Sequence, residues 1–142
     1  MIHTPEYVYI LYEFTRMWRK IPLDREHPKE PDNNWLGDSV GKYEGDSLVI
    51  DTIGFNDRTW LDHVGHPHSD ALHLIERFRR VDHDNLELSV TLDDAKAYTR
   101  SFTGKKLFKL STSPMGEGLC AYSGEQNFQE QVIDPTTQSH TK

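Results

Sequence analysis

Apolar and polar residues alternate with a period of two along most of this chain, which predicts strands rather than helices. Residues 7–14, YVYILYEF, are aromatic and β-branched and fit a well-buried strand. Val8, Ile10, Tyr12 and Phe14 share one face of it, and this is the more apolar face. Residues 16–23, RMWRKIPL, alternate imperfectly and contain Pro22. Proline cannot donate to a ladder, so this strand belongs at a sheet edge or ends there. Residues 24–36, rich in proline and asparagine, read as a loop.

The stretch SVGKYEGDSLVIDTIGF reads as a hairpin turned at Gly45-Asp46. Residues 56–69 form a long polar connection rich in Gly, Pro and His, of a length that often carries function. Further strands are expected at 70–82, 86–92 and 97–110, the last broken at Gly104. Turns at Asp82-His83-Asp84-Asn85 and Asp93-Asp94 join them. Ser123 and Gln126 have capping-box spacing for a short helix to about Val132. The tail from about residue 134 is expected to be weakly ordered.

No segment between the strands is long enough for a helical crossover. Seven or eight sequential antiparallel strands predict an all-β fold, with residues 1–142 as a single domain. The expected architecture is an antiparallel β-barrel, a lipocalin- or calycin-like meander, with a β-sandwich as the alternative. A barrel of about eight strands has room inside for side chains or one small ligand.

Composition narrows the function. Of the 142 residues 35% are hydrophobic, enough for a modest core and too many for a disordered chain. A formal net charge of −7 argues against nucleic acid as a partner, because phosphate binding needs clustered Lys and Arg. The two basic clusters, at 16–20 and 77–80, lie in alternating segments and read as solvated strand faces. One cysteine, Cys120, excludes an intrachain disulfide and reads as an inert small residue. No stretch approaches the ~20 apolar residues of a membrane helix, so no membrane partner is expected. With no leader before Tyr7 the chain reads as cytoplasmic as written. A monomer or homodimer is expected.

Candidate chemistry comes from acids within apolar faces. In 70–82, counting by two puts Leu72, Leu74, Glu76 and Phe78 on the face expected to point inward. A buried carboxylate must be protonated or paired, and Arg100 is one possible inward partner. In the same way Ser47, Val49, Asp51, Ile53 and Phe55 form a face that is apolar around Asp51. Glu76 and Asp51 are therefore the candidate catalytic acids, with His68 at the loop mouth as proton shuttle. Tyr12, Trp35, Phe55, Trp60, Leu74 and Arg100 are the candidate substrate-binding residues.

His63, His66 and His68 crowd six residues, and His66-x-His68 on an extended segment would present both rings on one face. A cupin-like metal centre would use these three, but Glu76 lies eight residues past His68 and no downstream strand histidine completes the set. The expectation is no metal and no other cofactor. No Gly-rich phosphate cradle is present. GDSVG at 37–41 matches G-x-S-x-G in letters, but a loop precedes it and a strand follows, which is not a nucleophile elbow.

The segments WLGDSVGKYEGDSLVIDTIGFN, HPHSDALHLIERFRR and TLDDAKAYTRSF, spanning Trp35 to about Phe102, resemble a family of uncharacterised bacterial proteins, common in soil bacteria, with a GDS…WEGDTLVVDT…hSdalhxxERf signature. Tyr43 stands where that signature usually has Trp. LCAYSGEQN near the end loosely resembles the family's YxCxEnN ending. Many members carry a secretion signal and a longer N-terminal region. The resemblance implies a single all-β domain and assigns no catalytic residue. The residues themselves point to a small-molecule-binding barrel, an enzyme using acid–base catalysis on an aromatic or terpenoid-like substrate. Lyase, isomerase, cyclase and hydrolase chemistry all fit. A non-catalytic lipocalin-like carrier and a cupin-like metalloenzyme are the alternatives.

Overall fold

The structure is a computed structural model describing residues 1–13 and 15–113. Eight strands follow in order: β1 (Ile2–His3), β2 (Tyr7–Tyr12), β3 (Met17–Pro22), β4 (Asp38–Glu44), β5 (Ser47–Ile53), β6 (His73–Arg80), β7 (Asn85–Asp93) and β8 (Phe102–Lys109). They form two antiparallel sheets, β1-β2-β3 and β4-β5-β6-β7-β8, each a simple meander. The described residues contain no helix. The helix expected from Ser123 and the tail from about residue 134 lie outside the described residues.

Register fixes which side chains share a face. Paired rows on one side of the large sheet are Ser39-Thr52-Leu74-Leu92-Phe102, Gly41-Ile50-Glu76-Val90-Gly104 and Tyr43-Leu48-Phe78-Leu88-Lys106. Leu48, Ile50 and Phe78 from these rows pack with Val8, Ile10 and Ile21 of the small sheet. Burying each such side chain contributes about 1.5–3 kcal/mol. The small sheet thus covers β4 to β6 and leaves the β7–β8 end of the face more open, where Phe102 and Phe108 are exposed.

The sheets are stitched where β3 leaves the small sheet. The Leu23 amide bonds the Glu6 carbonyl, and the next amide, of Asp24, bonds the Gly41 carbonyl. Gly41 permits this approach, since a Cβ there would lie 3.0 Å from Ile21 Cγ2 and 3.1 Å from Leu23 Cδ2. Pro22 closes β3, an edge strand, in agreement with its missing donor.

Two expected strands begin late. The stretch 70–82 becomes β6 only at His73, because Ser69 turns the chain: its hydroxyl accepts the Ala71 amide and its carbonyl the Leu72 amide. The stretch 97–110 becomes β8 only at Phe102. Asp94 accepts the Lys96 and Ala97 amides through its side chain and the Tyr98 amide through its carbonyl, so 94–98 is a turn. Gly104 does not break β8.

Candidate functional site

The outer face of the large sheet, away from the core, carries a polar cluster of four side chains. Because Ile50 and Thr52 face the core, Asp51 between them faces out. It shares a row with Val40 of β4 and Ile75 of β6. Asp38 and His73 lie two residues from these along their strands, on the same face. The loop after β3 brings His27 over this face.

The four side chains form a chain. His27 Nδ1 is 2.6 Å from Asp38 Oδ1, and its Nε2 is 3.1 Å from Asp51 Oδ1. His73 Nε2 reaches the same Asp51 oxygen at 2.9 Å. Carboxylates only accept, so both His27 contacts are hydrogen bonds only when that ring carries two protons. His73 donates from Nε2, which leaves Nδ1 as the nitrogen that takes up a proton. Beside the cluster runs a groove of about 540 Å³, floored by Val40, Val49 and Ile75 and edged by His27, Asp51 and Arg77. At its far edge Glu44 bonds Lys42 and Arg77, and these cations hold its carboxyl at about 2.

The core side of the sheet holds a second polar group. Arg19 of β3 reaches from the small sheet to Glu76 of β6 at 2.6 Å. Its other terminal nitrogen donates to Ser39 Oγ at 2.9 Å and Thr52 Oγ1 at 3.1 Å, and Tyr12 Oη accepts at 3.3 Å. Burial opposes the guanidinium charge, but Glu76 and the Tyr12 hydroxyl outweigh it, so Arg19 holds its proton more firmly than an ordinary arginine. Glu76 therefore faces inward and is paired, with Arg19 rather than Arg100. Arg19 is not part of a solvated face.

The sequence-derived residues do not meet at one place. Ile50 pairs with Glu76 and Asp51 with Ile75, so Glu76 and Asp51 lie on opposite faces of the sheet. The inward reading of Asp51 is corrected: Leu48, Ile50 and Thr52 are the core face of β5. Leu74 sits beside Thr52 on the Glu76 side. His68 is buried in its loop, where Nδ1–H donates to the Ser69 carbonyl, Nε2 pairs with the Thr59 hydroxyl at 2.7 Å and the ring stands edge-on to Phe55. It is not at a loop mouth. Trp35 and Trp60 are exposed loop residues, and Arg100 lies in a different groove from Asp51.

His63 is exposed, His66 bonds Asp62 at 2.6 Å and His68 is buried, so the three histidines do not converge. Among the described residues no group of three or more His, Cys, Asp or Glu is placed to hold a metal ion. Sequence reading missed Arg19, His27, Asp38 and His73 as site residues. No protein-family model matches the chain, and no curated protein or solved structure matches it significantly.

Proposed function

We propose that the chain is a small-molecule-binding β protein that performs acid–base chemistry on a small organic substrate, without a nucleotide cofactor, at the outer groove. The observation that carries this reading is the single Asp51 oxygen shared by His27 Nε2 and His73 Nε2. An imidazole whose one nitrogen donates to a carboxylate is fixed in tautomer and orientation, and its charged form is stabilised. His73, which stands beside the groove and reaches its edge through Asp51, is then the general base, taking a proton at Nδ1. Asp51 orients it. His27, held by Asp38, positions Asp51 from the other side. The apolar floor of Val40, Val49 and Ile75 suits an aromatic or terpenoid-like body.

We propose further that the two sheets are the halves of a calycin-like meander barrel open at its seams. The sequential order of antiparallel strands within each sheet supports it. The bacterial family resemblance of Trp35–Phe102 is carried with it, since Asp38, Asp51 and His73 all fall inside the resembling segments.

The test is a small-molecule screen by NMR on the full chain, followed by turnover of the hits. A ligand that shifts the Val40, Val49 and Ile75 amides and is chemically converted supports the proposal. Conversion should fall by about 10²–10⁴ in His73→Gln, the usual worth of a positioned acid or base, with binding retained. A ligand held at this groove and never converted makes the protein a carrier. Hits that all map elsewhere overturn the reading.

A further inference from the structure

A second groove, on the other side of the large sheet at its open end, has different chemistry. It encloses about 550 Å³ between the loop at Leu61–His66 and the start of β8. That is within the ~300–1,000 Å³ of small-molecule sites. Its apolar walls are Leu61, Leu92 and Phe102, and the last two are register partners on the inner face. Tyr98 braces the wall: its ring stands edge-on to Phe102 at 5.4 Å, and its hydroxyl donates to the Pro67 carbonyl at 2.7 Å.

Two polar groups of the groove are already committed to each other. Asp62 Oδ1 accepts the amides of Val64, Gly65 and His66, and Oδ2 lies 2.6 Å from His66 Nδ1. The His66 bond leads in holding the Asp62 carboxyl down at about 2, so it stays ionised and stays tied to its own loop. Arg100 differs. It lines the groove, is exposed, and makes no hydrogen bond, ion pair or ring contact among the described residues. A planar guanidinium with five donors and no acceptor, beside apolar walls, complements a carboxylate on an apolar body.

We propose that this groove is a binding site for a small organic carboxylate, with Arg100 taking the carboxylate and Leu61, Leu92 and Phe102 taking the apolar body. The site is separate from the His27–Asp51–His73 groove, and either can exist without the other. A single guanidinium favours a monoanion over a multiply charged phosphate.

The experiment is an NMR titration of the full ¹⁵N-labelled chain with 2-naphthoate, and in parallel with the neutral 2-naphthamide and with inorganic phosphate. The expected result is a saturable response to 2-naphthoate confined to amides of residues 61–66, 92 and 98–102. The amide analogue should bind about tenfold or more weakly, the worth of a charge-assisted hydrogen bond. Arg100→Gln should lose about tenfold for the carboxylate alone, and Arg100→Lys should lose less. Arg100 is exposed, so an unchanged thermal midpoint confirms that these variants are folded. Equal binding of acid and amide, an unaltered affinity in Arg100→Gln, a tighter response to phosphate, or no saturable shift each overturns the proposal.

Discussion

Arg19 and Glu76 meet at 2.6 Å across the space between the two sheets, one residue from each. Side-chain exposures of 10% and 9% make this a largely dehydrated pair. Such pairs contribute little net stability over an apolar pair, but breaking one strands the other charge. Arg19→Met and Glu76→Leu should each destabilise the protein by about 3–5 kcal/mol, and the double variant should recover most of that loss. Guanidinium unfolding in a double-mutant cycle reads this directly. If the two single losses simply add, the ion pair does not join the sheets.

Asp94 is 2% exposed yet ionised. Burial opposes its charge, but the Ser69 amide at 2.6 Å, the Ser69 hydroxyl at 2.7 Å and the Ala97 and Lys96 amides outweigh it and hold the carboxyl below its ordinary 3.8. A folded pKa below the unfolded one contributes stability above about 3.8, and that stability is lost as pH falls through the folded value. Asp94→Asn should cost about 1.5–3 kcal/mol at neutral pH, since Asn has one accepting oxygen where Asp94 uses two, Oδ2 for the Ser69 amide and Oδ1 for the Ser69 hydroxyl and the Lys96 and Ala97 amides. The gap between wild type and variant should close below pH 3.8. A gap independent of pH would show that the cost comes from packing.

Gly37 precedes the strand that carries Asp38 and Ser39. Its φ of +68° is in the left-handed region, and a Cβ there would lie 2.7 Å from the Ile53 carbonyl oxygen. Strain and clash act together, so Gly37→Ala should destabilise by at least about 2 kcal/mol. The His27–Asp38 bond should loosen with it, seen as a changed His27 ring spectrum. A stable variant with that spectrum intact would mean the turn rearranges at little cost.

Alternation made the strands legible, along with the Gly45-Asp46 hairpin and the inward Glu76. Their shared cause is local: a period of two survives wherever one face is buried. The same counting applied to β3 puts Arg19 with Met17 and Ile21, a lone charge among apolar neighbours like Glu76 on β6. That signal was present and was masked by the adjoining Arg16 and Lys20. Asp51 failed for a different reason. Both faces of β5 are apolar, with Val49 buried beneath the His27 loop, so alternation could not choose between them. His27 has no periodic signal at all, because a loop residue's partners depend on where the loop lands.

Asp62 at the surface is a direct check on the second groove's electrostatics. Its carboxyl carbon should titrate at about 2 in the wild type. His66→Ala removes the leading cause and should move that midpoint up toward 3.8, while the three amides keep it from reaching the ordinary value. A midpoint unchanged by the substitution would assign the whole effect to the amides and leave His66 free of Asp62.

Asp51 is the shared member of the outer cluster, so its substitution tests whether the chain from Asp38 to His73 acts as a unit. With a carboxylate at 51, His27 and His73 both donate from Nε2 to one oxygen, and two slowly exchanging, downfield ring N–H protons are expected. Asp51→Asn keeps the shape but removes the charge, and an amide oxygen accepts less strongly than a carboxylate. Both downfield signals should weaken together, while the His27 Nδ1 bond to Asp38 at 2.6 Å persists. Turnover of any converted ligand should drop by about 10²–10⁴ with the signals, because His73 loses the group that orients it. Loss of the His27 signal alone would place His73 outside the cluster and overturn its role as base, and His27 could not replace it, because both its nitrogens are occupied by Asp38 and Asp51.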